Sequence, residues 1–182
     1  MIYIVRHGET DWNLEGRYAG RKDVELNDKG ISQAESIKEE LKDVKFDKVI
    51  SSPLKRAYKT ATIITDFEIT TDERIIERCN GELEGKLKEE CPQNIDFNDP
   101  NTGYGIESII DFRRRIFDFF DDITKKYKGK NVLIVTHAGV GIYARCYFEG
   151  EPKDKNYSIY KIKNCEVIKY YNNLVKEKRM TK

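Results

Sequence analysis

The chain has 182 residues, a length that suits one domain and allows most of its apolar surface to be buried. Its 33 lysines and arginines nearly balance 32 aspartates and glutamates, so no overall field draws the protein to nucleic acid or to an anionic membrane. No apolar stretch is long enough for a membrane span or a signal-peptide core, and we therefore expect a cytoplasmic protein without nucleic-acid or membrane partners.

The first part of the chain predicts two strands, each followed by a helix. Residues 2–5 are apolar and β-branched, which is typical of a buried parallel strand. An amphipathic helix follows, with Asp28 as its cap and apolar positions at Ile31, Ala34, Ile37 and Leu41. Residues 46–50 predict the second strand. The Ser-Ser-Pro run at 51–53 predicts a serine-capped helix with proline in its first turn, which would carry Arg56 in that turn.

The middle of the chain is less regular. Residues 68–71 predict a short strand, and residues 77–105 contain glycines and prolines with little periodicity. A long amphipathic helix is then predicted from Glu107, ending before Gly129.

The last part predicts one more strand and helix and then a pair of strands. The strand covers residues 132–135 and the helix residues 140–148. Strands near 158–162 and 166–170 are joined by only a few residues, so we expect them to pair antiparallel. Residues 173–182 are basic, and we expect them to fray.

The alternation of strands and helices predicts a three-layer α/β/α fold with a mainly parallel sheet and an antiparallel strand at or near one edge. No repeat, linker or low-complexity tract divides the chain. We therefore expect a single domain over residues 1–182.

The four cysteines, Cys79, Cys91, Cys146 and Cys165, form no Cys-x-x-Cys pair and have no histidine nearby at ligand spacing. This pattern disfavours a zinc site and favours reduced structural thiols.

The only two histidines, His7 and His137, each follow a predicted parallel strand. Parallel strands end at the same edge of a sheet, where ligands of open α/β sheets gather. The two histidines can therefore meet over one substrate.

A lone histidine after a strand is more often a structural hydrogen-bonding residue than a catalyst, but the neighbours of His7 change that balance. Arg6, Gly8, Thr10 and Asn13 form a polar loop that can hold an anion. A neutral imidazole can accept a phosphoryl group if its other ring nitrogen donates to a fixed carbonyl, for which that of Gly8 is a candidate.

Further charged residues add to this interpretation. An arginine in the first turn of a helix, as predicted for Arg56, opposes the helix dipole unless an anion lies in front of it. It could equally be a solvent-exposed residue. His137 could donate to a phosphoryl oxygen, and Glu77 is a candidate acid, although most of the 32 acidic residues must simply be solvated.

Four segments carry a resemblance to a known family. The run Arg-His-Gly-Glu-Thr-x-Trp-Asn at 6–13, with Glu-Gly-Arg-Tyr after it, resembles the signature of the histidine phosphatase superfamily, also called the phosphoglycerate mutase-like family. The segments at 51–57, 77–85 and 136–140 resemble its second arginine motif, its acid segment and its second histidine motif, in order and spacing. The resemblance spans residues 2–145 and implies a phosphoglycerate mutase-like fold.

The resemblance also implies roles. His7 would be the nucleophile that becomes a phosphohistidine, and Glu77 would protonate the leaving oxygen and then activate water. The rest of the phosphate pocket would be formed by Arg6, Arg56 and His137, and the substrate-binding positions would be Gly8, Glu9, Thr10, Asn13 and Gly20. No metal and no cofactor is implied, and the small members that the chain resembles are phosphatases.

Departures from the family pattern bear on the alternatives. Mutases usually have serine or threonine where this chain has Ala19, and they carry paired arginines in a longer segment after the acid motif, whereas the 21 residues between Gly85 and Glu107 contain none. A cofactor-dependent phosphoglycerate mutase is therefore disfavoured. Ala138 replaces the commoner glycine after the second histidine. A non-catalytic module that binds phosphorylated ligands is the other alternative, but both the nucleophile and the acid are retained.

The expected partner is a small phosphorylated metabolite. Residues 86–106, with Lys86, Lys88, Phe97 and Tyr104, are predicted to cover the pocket and to choose among sugar phosphates, phosphoglycerate, nucleotides and cobalamin precursors. The sequence leaves the choice open, and it leaves the oligomeric state open as well.

Overall fold

The computed structural model describes residues 1–97, 99 and 101–172, so the predicted frayed tail at 173–182 lies outside the described residues. A five-stranded sheet lies between two layers of helices. The strands are β1 (Ile2–Arg6), β2 (Lys48–Ser51), β3 (Ile69–Thr71), β4 (Val132–Thr136) and β5 (Val167–Tyr170). The helices are α1 (Asp11–Leu14), α2 (Asp28–Leu41), α3 (Lys55–Ile64), α4 (Ile109–Lys126) and α5 (Ala138–Glu149).

The strand order in the sheet is β3-β2-β4-β1-β5. The pairs β3/β2, β2/β4 and β4/β1 are parallel, and β5 pairs antiparallel with β1 at one edge. The predicted fold class is therefore confirmed: the sheet is mainly parallel and has one antiparallel edge strand.

Alternation along the central strands explains the three layers. Ile2 and Ile4 of β1 pack in one apolar cluster with α4 and α5, while Tyr3 and Val5 pack in a second cluster with α2 and α3. Successive side chains of a strand point to opposite faces of the sheet, so an uninterrupted apolar run requires cover on both faces. Strand β4 alternates in the same way.

The irregular segment before α4 contains three short 3-10 helices, at Glu73–Ile75, Gly81–Leu83 and Lys88–Glu90. Gly81 has a φ of +52°, and a Cβ there would lie 2.0 Å from the carbonyl oxygen of Tyr104. Only glycine fits this close approach of two parts of the segment.

The predicted strand at 158–162 is wrong, because Tyr157–Tyr160 forms a 3-10 helix. The side chain of Asn156 accepts from the Ser158 N–H at 3.2 Å. Such a local side-chain bond competes with strand pairing. Strand β5 therefore pairs with β1 rather than with a preceding strand.

Two predicted helix caps are also wrong. Asn27, not Asp28, caps α2, since its side chain accepts from the Gly30 N–H at 2.8 Å. Helix α3 begins at Lys55 after Leu54, without a side-chain cap, so neither the serine pair nor Pro53 lies in its first turn. The predicted place of Arg56 in that turn is correct.

No helix in the described part of the chain is long and apolar enough to cross a membrane. The four cysteines are free thiols, and three of them are buried.

Candidate active site

The two histidines meet at the carboxyl ends of β1 and β4. Arg6 pairs with Thr136 in the parallel register, and the His7 N–H donates to the Thr136 carbonyl at 2.9 Å. Both imidazoles are buried, and their ring centroids lie 5.2 Å apart at an interplanar angle of 60°. The convergence predicted from the strand pattern is present in the structure.

The ring of His7 is fixed by its own loop. Its Nδ1 lies 2.6 Å from the Gly8 carbonyl oxygen, which can only accept, so Nδ1 carries the proton and Nε2 is unprotonated. Burial and the positive charges of Arg56 and Arg6 hold the pKa of His7 well below its usual range. His7 is therefore a neutral imidazole with Nε2 available as a nucleophile.

Arg56 lies directly against that nitrogen. Its Nε donates to His7 Nε2 at 3.3 Å, and its Nη1 and Nη2 each donate at 2.7 Å, to the carbonyls of Lys22 and Gly20. The side chain is 1% exposed. The guanidinium thus fixes the loop that contains Gly20 and presents positive charge where a phosphoryl group would meet His7.

Arg6 supplies a second guanidinium to the same cavity. Its Nη1 donates to the Ile162 carbonyl at 3.0 Å, whereas its buried Nε has no hydrogen-bond partner among the described residues. A buried donor without a partner is costly unless a ligand or water satisfies it. This donor is suited to an anion bound beside His7.

His137 is not itself among the residues that line the cavity, but its ring lies directly against that of His7, which is. Its Nε2 is 2.7 Å from Ser52 Oγ, and its Nδ1 has no partner within the described part of the chain. Burial and the charge of Arg56 hold the pKa of His137 well below its usual range. The second histidine is therefore also neutral.

Glu77 lines the same cavity as Arg6 and Arg56. Its two carboxyl oxygens accept backbone hydrogen bonds, Oε2 from the Gly139 N–H at 3.0 Å and Oε1 from the Arg78 N–H at 2.9 Å. A Cβ on residue 139 would lie 2.4 Å from Glu77 Oε1. The first turn of α5 therefore positions the carboxyl, and a side chain at position 139 would displace it.

The backbone that bears Glu77 is clamped to α4 by Arg115, which the sequence analysis did not single out. Arg115 donates to the carbonyls of Arg74 at 2.6 Å, Ile76 at 2.7 Å and Glu77 at 3.2 Å. Glu107 holds the same guanidinium through Nε at 2.8 Å and Nη2 at 2.9 Å. Nothing in the sequence separates Arg115 from the other basic residues of α4.

Of the five expected substrate-binding positions, Asn13 and Gly20 line the cavity. Asn13 Oδ1 accepts from the Thr10 N–H and from Asn164 Nδ2, both at 3.2 Å, so its amide NH2 is the group left for a ligand. Asn164 also donates to the His7 carbonyl at 2.9 Å. This asparagine, which follows the 3-10 helix at 157–160, was not identified from sequence.

The other three positions hold the loop in place and do not line the cavity. A Cβ on Gly8 would lie 2.3 Å from the Gly30 carbonyl oxygen, so this glycine allows the loop to pack on α2. Glu9 pairs with Lys29 at 2.9 Å, and Thr10 caps α1 by accepting from the Asn13 N–H at 3.2 Å. In the structure these residues support the shape of the loop.

The cavity has a volume of about 450 Å³ and a positive lining, with six cationic side chains and one carboxylate. Arg78 and Lys161 lie in it beyond the residues expected from sequence, together with Lys88 of the predicted cover segment. Arg78 is 8% exposed, and its buried Nη2 has no partner among the residues described. Burial lowers the pKa of Lys88, and the charges of Arg6 and Lys161 lower it further. The outer part of the cavity is therefore also suited to negative charge.

The predicted cover segment contributes Lys88 and Phe97 to this lining, whereas Lys86 and Tyr104 are not part of it. Phe97 packs on Tyr18 with ring centroids 5.8 Å apart. In residues 1–97, 99 and 101–172, no group of three or more histidine, cysteine or acidic side chains is arranged to hold a metal ion.

Comparisons with known proteins agree with this geometry. A model of the histidine phosphatase superfamily (branch 1) matches residues 2–174. The chain is 40% identical over 160 residues to a metal-independent phosphoserine phosphatase of Arabidopsis thaliana, covering 79% of this chain and 67% of that one. It is 30% identical over 158 residues to a 2,3-bisphosphoglycerate-dependent phosphoglycerate mutase of Allorhizobium ampelinum, covering 75% and 73%.

Among solved structures, the chain resembles a phosphoserine phosphatase mutant of Entamoeba histolytica in complex with phosphoserine. The TM-score is 0.81 at 28% identity, over 91% of this chain and 87% of the other. The matches to four curated relatives span 66–74% of those relatives' lengths.

The lowered pKa values of both histidines predict that stability falls below about pH 6.5. There the unfolded chain takes up protons that the folded protein does not, so the free energy of unfolding declines by up to about 1.4 kcal/mol per pH unit for each histidine. Urea unfolding between about pH 7 and pH 5, above the usual range of the carboxylates, measures the slope. His7→Gln removes one of the two groups and should halve it. A flat profile, or an unchanged slope in the variant, would contradict neutral buried histidines.

Proposed function

The chain is a phosphatase of the histidine phosphatase superfamily (branch 1), and we propose that it hydrolyses small phosphomonoesters through a phosphohistidine on His7. The observation that carries this proposal is the position of His7 Nε2. This unprotonated nitrogen lies 3.3 Å from the Arg56 guanidinium, in a cavity that Glu77 also lines. A nucleophile, a bound positive charge and a proton donor are what phosphoryl transfer to a side chain requires.

In the first step, the lone pair of His7 Nε2 forms a bond to phosphorus as the bond from phosphorus to the leaving oxygen breaks. The carboxyl of Glu77 gives its proton to that oxygen, so the product leaves as an alcohol. Arg6 and Arg56 offset the charge on the equatorial oxygens, with the amide of Asn13 as a further donor. The Gly8 carbonyl stabilises the positive charge that develops on the ring through the Nδ1–H.

In the second step, Glu77 is a carboxylate and accepts a proton from water. The oxygen of that water attacks phosphorus on the side opposite His7, and the phosphorus–nitrogen bond breaks. Inorganic phosphate leaves, the lone pair returns to Nε2, and Glu77 is protonated for the next cycle. The cycle balances with the chain's own side chains and needs no cofactor.

We propose that the reaction is independent of metal ions. The two arginines provide the charge compensation that a divalent cation would otherwise supply. The relative of Arabidopsis thaliana whose name states metal independence supports this proposal.

The positive outer part of the cavity supports a small substrate whose leaving group carries its own negative charge. Arg78 presents an Nη2 without a partner among the described residues, and Lys88 lies nearby in the same lining. The Nε and Nη1 of Arg78 already donate to the carbonyls of Glu107 and Phe97, so Nη2 is the nitrogen that can donate to a carboxylate. Phosphoserine, present in the complex of the similar solved structure, carries a carboxylate of this kind.

A cofactor-dependent phosphoglycerate mutase is the second candidate, because one relative is named as such a mutase. The same positive lining would suit phosphoglycerate. Ala19 and the absence of arginine between Gly85 and Glu107 weigh against it, as the sequence analysis argued. A binding module without catalysis would not need the fixed carboxyl of Glu77 beside a free nucleophile.

Replacing the nucleophile tests the central proposal. His7→Ala is expected to lower kcat toward an aryl phosphate by about 10³-fold or more, because no other imidazole presents a lone pair to the cavity. Brief reaction with labelled substrate should leave an acid-labile, base-stable phosphate on the native protein and none on the variant. The activity should survive a chelator. Substantial turnover by the variant would refute the nucleophile, and a loss in chelator that a divalent metal restores would refute metal independence.

The role of Glu77 predicts a dependence on the leaving group. Glu77→Gln should slow phosphoryl transfer from an alkyl phosphate by about 10²- to 10⁴-fold, but hardly from p-nitrophenyl phosphate, whose leaving oxygen needs no proton. Since water activation also fails, the variant should release one equivalent of nitrophenol rapidly and then turn over slowly. Glu73→Gln, an exposed position on the same segment, is the control. Equal slowing of transfer from both substrates would move the acid elsewhere.

A panel of phosphorylated metabolites tests the substrate class. We expect the fastest phosphate release from small substrates with a carboxylate close to the phosphate, and slower release from nucleotides and neutral sugar phosphates. The panel is run with and without bisphosphoglycerate, which should not stimulate release. Isomerisation of phosphoglycerate that is faster than phosphate release and needs bisphosphoglycerate would establish the mutase instead.

A further inference from the structure

A buried hydroxyl contacts the second histidine. Ser52 directly follows β2, is fully buried, and places Oγ 2.7 Å from His137 Nε2. Its backbone N–H donates to the Val135 carbonyl at 2.9 Å, which anchors the residue to β4 two positions before His137. The sheet itself therefore fixes the distance between this serine and the histidine.

The available acceptors decide which atom holds the proton in this contact. The Ser52 hydroxyl has one hydrogen to give, and His137 Nε2 is its only acceptor among the described residues. The Leu54 N–H is directed to Ser52 Oγ at 3.4 Å and so already supplies a donor to that oxygen. If Nε2 also carried a proton, the buried hydroxyl hydrogen would be left without an acceptor, which costs free energy.

We propose that Ser52 is a positioning residue that holds His137 in its Nδ1–H tautomer. With Nε2 accepting from the serine, the proton of the neutral ring must lie on Nδ1. That nitrogen is buried and has no partner in the part of the chain that the structure describes. The inference rests on the proposed function for its purpose, because Nδ1–H is then a neutral donor for a phosphoryl oxygen bound to His7.

The charge of the site supports this assignment. The His137 ring lies 5.2 Å from that of His7, so a lone pair on Nδ1 would repel an anion held there by Arg6 and Arg56. A proton there makes the contact attractive without adding a buried positive charge. Both histidines then have the same tautomer, but they offer different atoms: His7 offers the bare Nε2, and His137 offers the Nδ1–H.

The test is a two-bond proton–nitrogen NMR spectrum of the full chain, which distinguishes the two neutral tautomers of each of the two histidines. His137→Gln assigns the signals. We expect His137 as the neutral Nδ1–H form in the native protein and in Ser52→Thr, which keeps the hydroxyl. In Ser52→Ala we expect the ring to populate the Nε2–H form. Ser51→Ala, a buried neighbour whose hydroxyl donates to the Ser52 carbonyl, is the matched control and should keep the native pattern.

Kinetics complete the test. Ser52→Ala should lower kcat about 10- to 100-fold, with a smaller change in KM. This loss of kcat is smaller than the loss of about 10²- to 10³-fold that removal of such a donor causes, because the imidazole itself is still present. Ser52→Thr should recover most of kcat.

A native His137 in the Nε2–H or the protonated form overturns the inference, even if Ser52→Ala does not fold. An unchanged kcat in a folded Ser52→Ala overturns the positioning role. A native protein without phosphatase activity would refute the proposed function but not the tautomer, which the spectrum reports independently.

Discussion

The parallel pairing of β1 with β4 is the constraint on which the site depends. The register that places Arg6 beside Thr136 puts both histidines one residue beyond the sheet, at the same edge. Ser52 reaches the same place because β2 pairs with β4 on the other side and ends in line with it. Backbone hydrogen bonds in the centre of a sheet that is buried on both faces are among the least mobile parts of a protein. The backbone positions of His7, His137 and Ser52 relative to one another are therefore set by the sheet.

The electrostatics of the site follow from its burial. Arg56 and the two imidazoles are buried side by side, with the half-buried Arg6 next to them, and the imidazoles remain neutral. Neutral rings can serve as a nucleophile and as a hydrogen-bond donor, whereas an imidazolium has no lone pair for attack and would add positive charge beside Arg6 and Arg56. The positive charge stays on arginine, whose guanidinium does not lose its proton in proteins. An anion that binds there meets donors that are already oriented and need little reorganisation.

The sequence predicts well the features that follow from a repeating or alternating pattern of apolar and polar residues. The apolar strands before His7 and His137 predict both the parallel sheet and the meeting of the histidines, and the loop after His7 indicates the Gly8 carbonyl as its partner. The sequence predicts poorly the position of a residue that is fixed by a single long-range contact. A serine before proline resembles a helix cap, although Ser52 contacts His137 instead. Arg115, Asn164 and Arg78 look like ordinary surface residues, because only the folded chain brings them to the acid segment and the cavity. The 3-10 helix at 157–160 was read as a strand, since local side-chain bonds of Asn156 outweigh its alternating pattern.

The position of Asn164 late in the sequence means that the site is completed late in synthesis. It donates to the His7 carbonyl and to Asn13, and it lies just before the edge strand β5. Strand β1 is made first on the ribosome, but its central neighbour β4 comes some 130 residues later, and Asn164 later still. A growing chain can form the α2 and α3 layer early, yet it has no second histidine to set beside the first. The imidazole of His7 thus stays without its pocket until nearly all of the described chain has been synthesised.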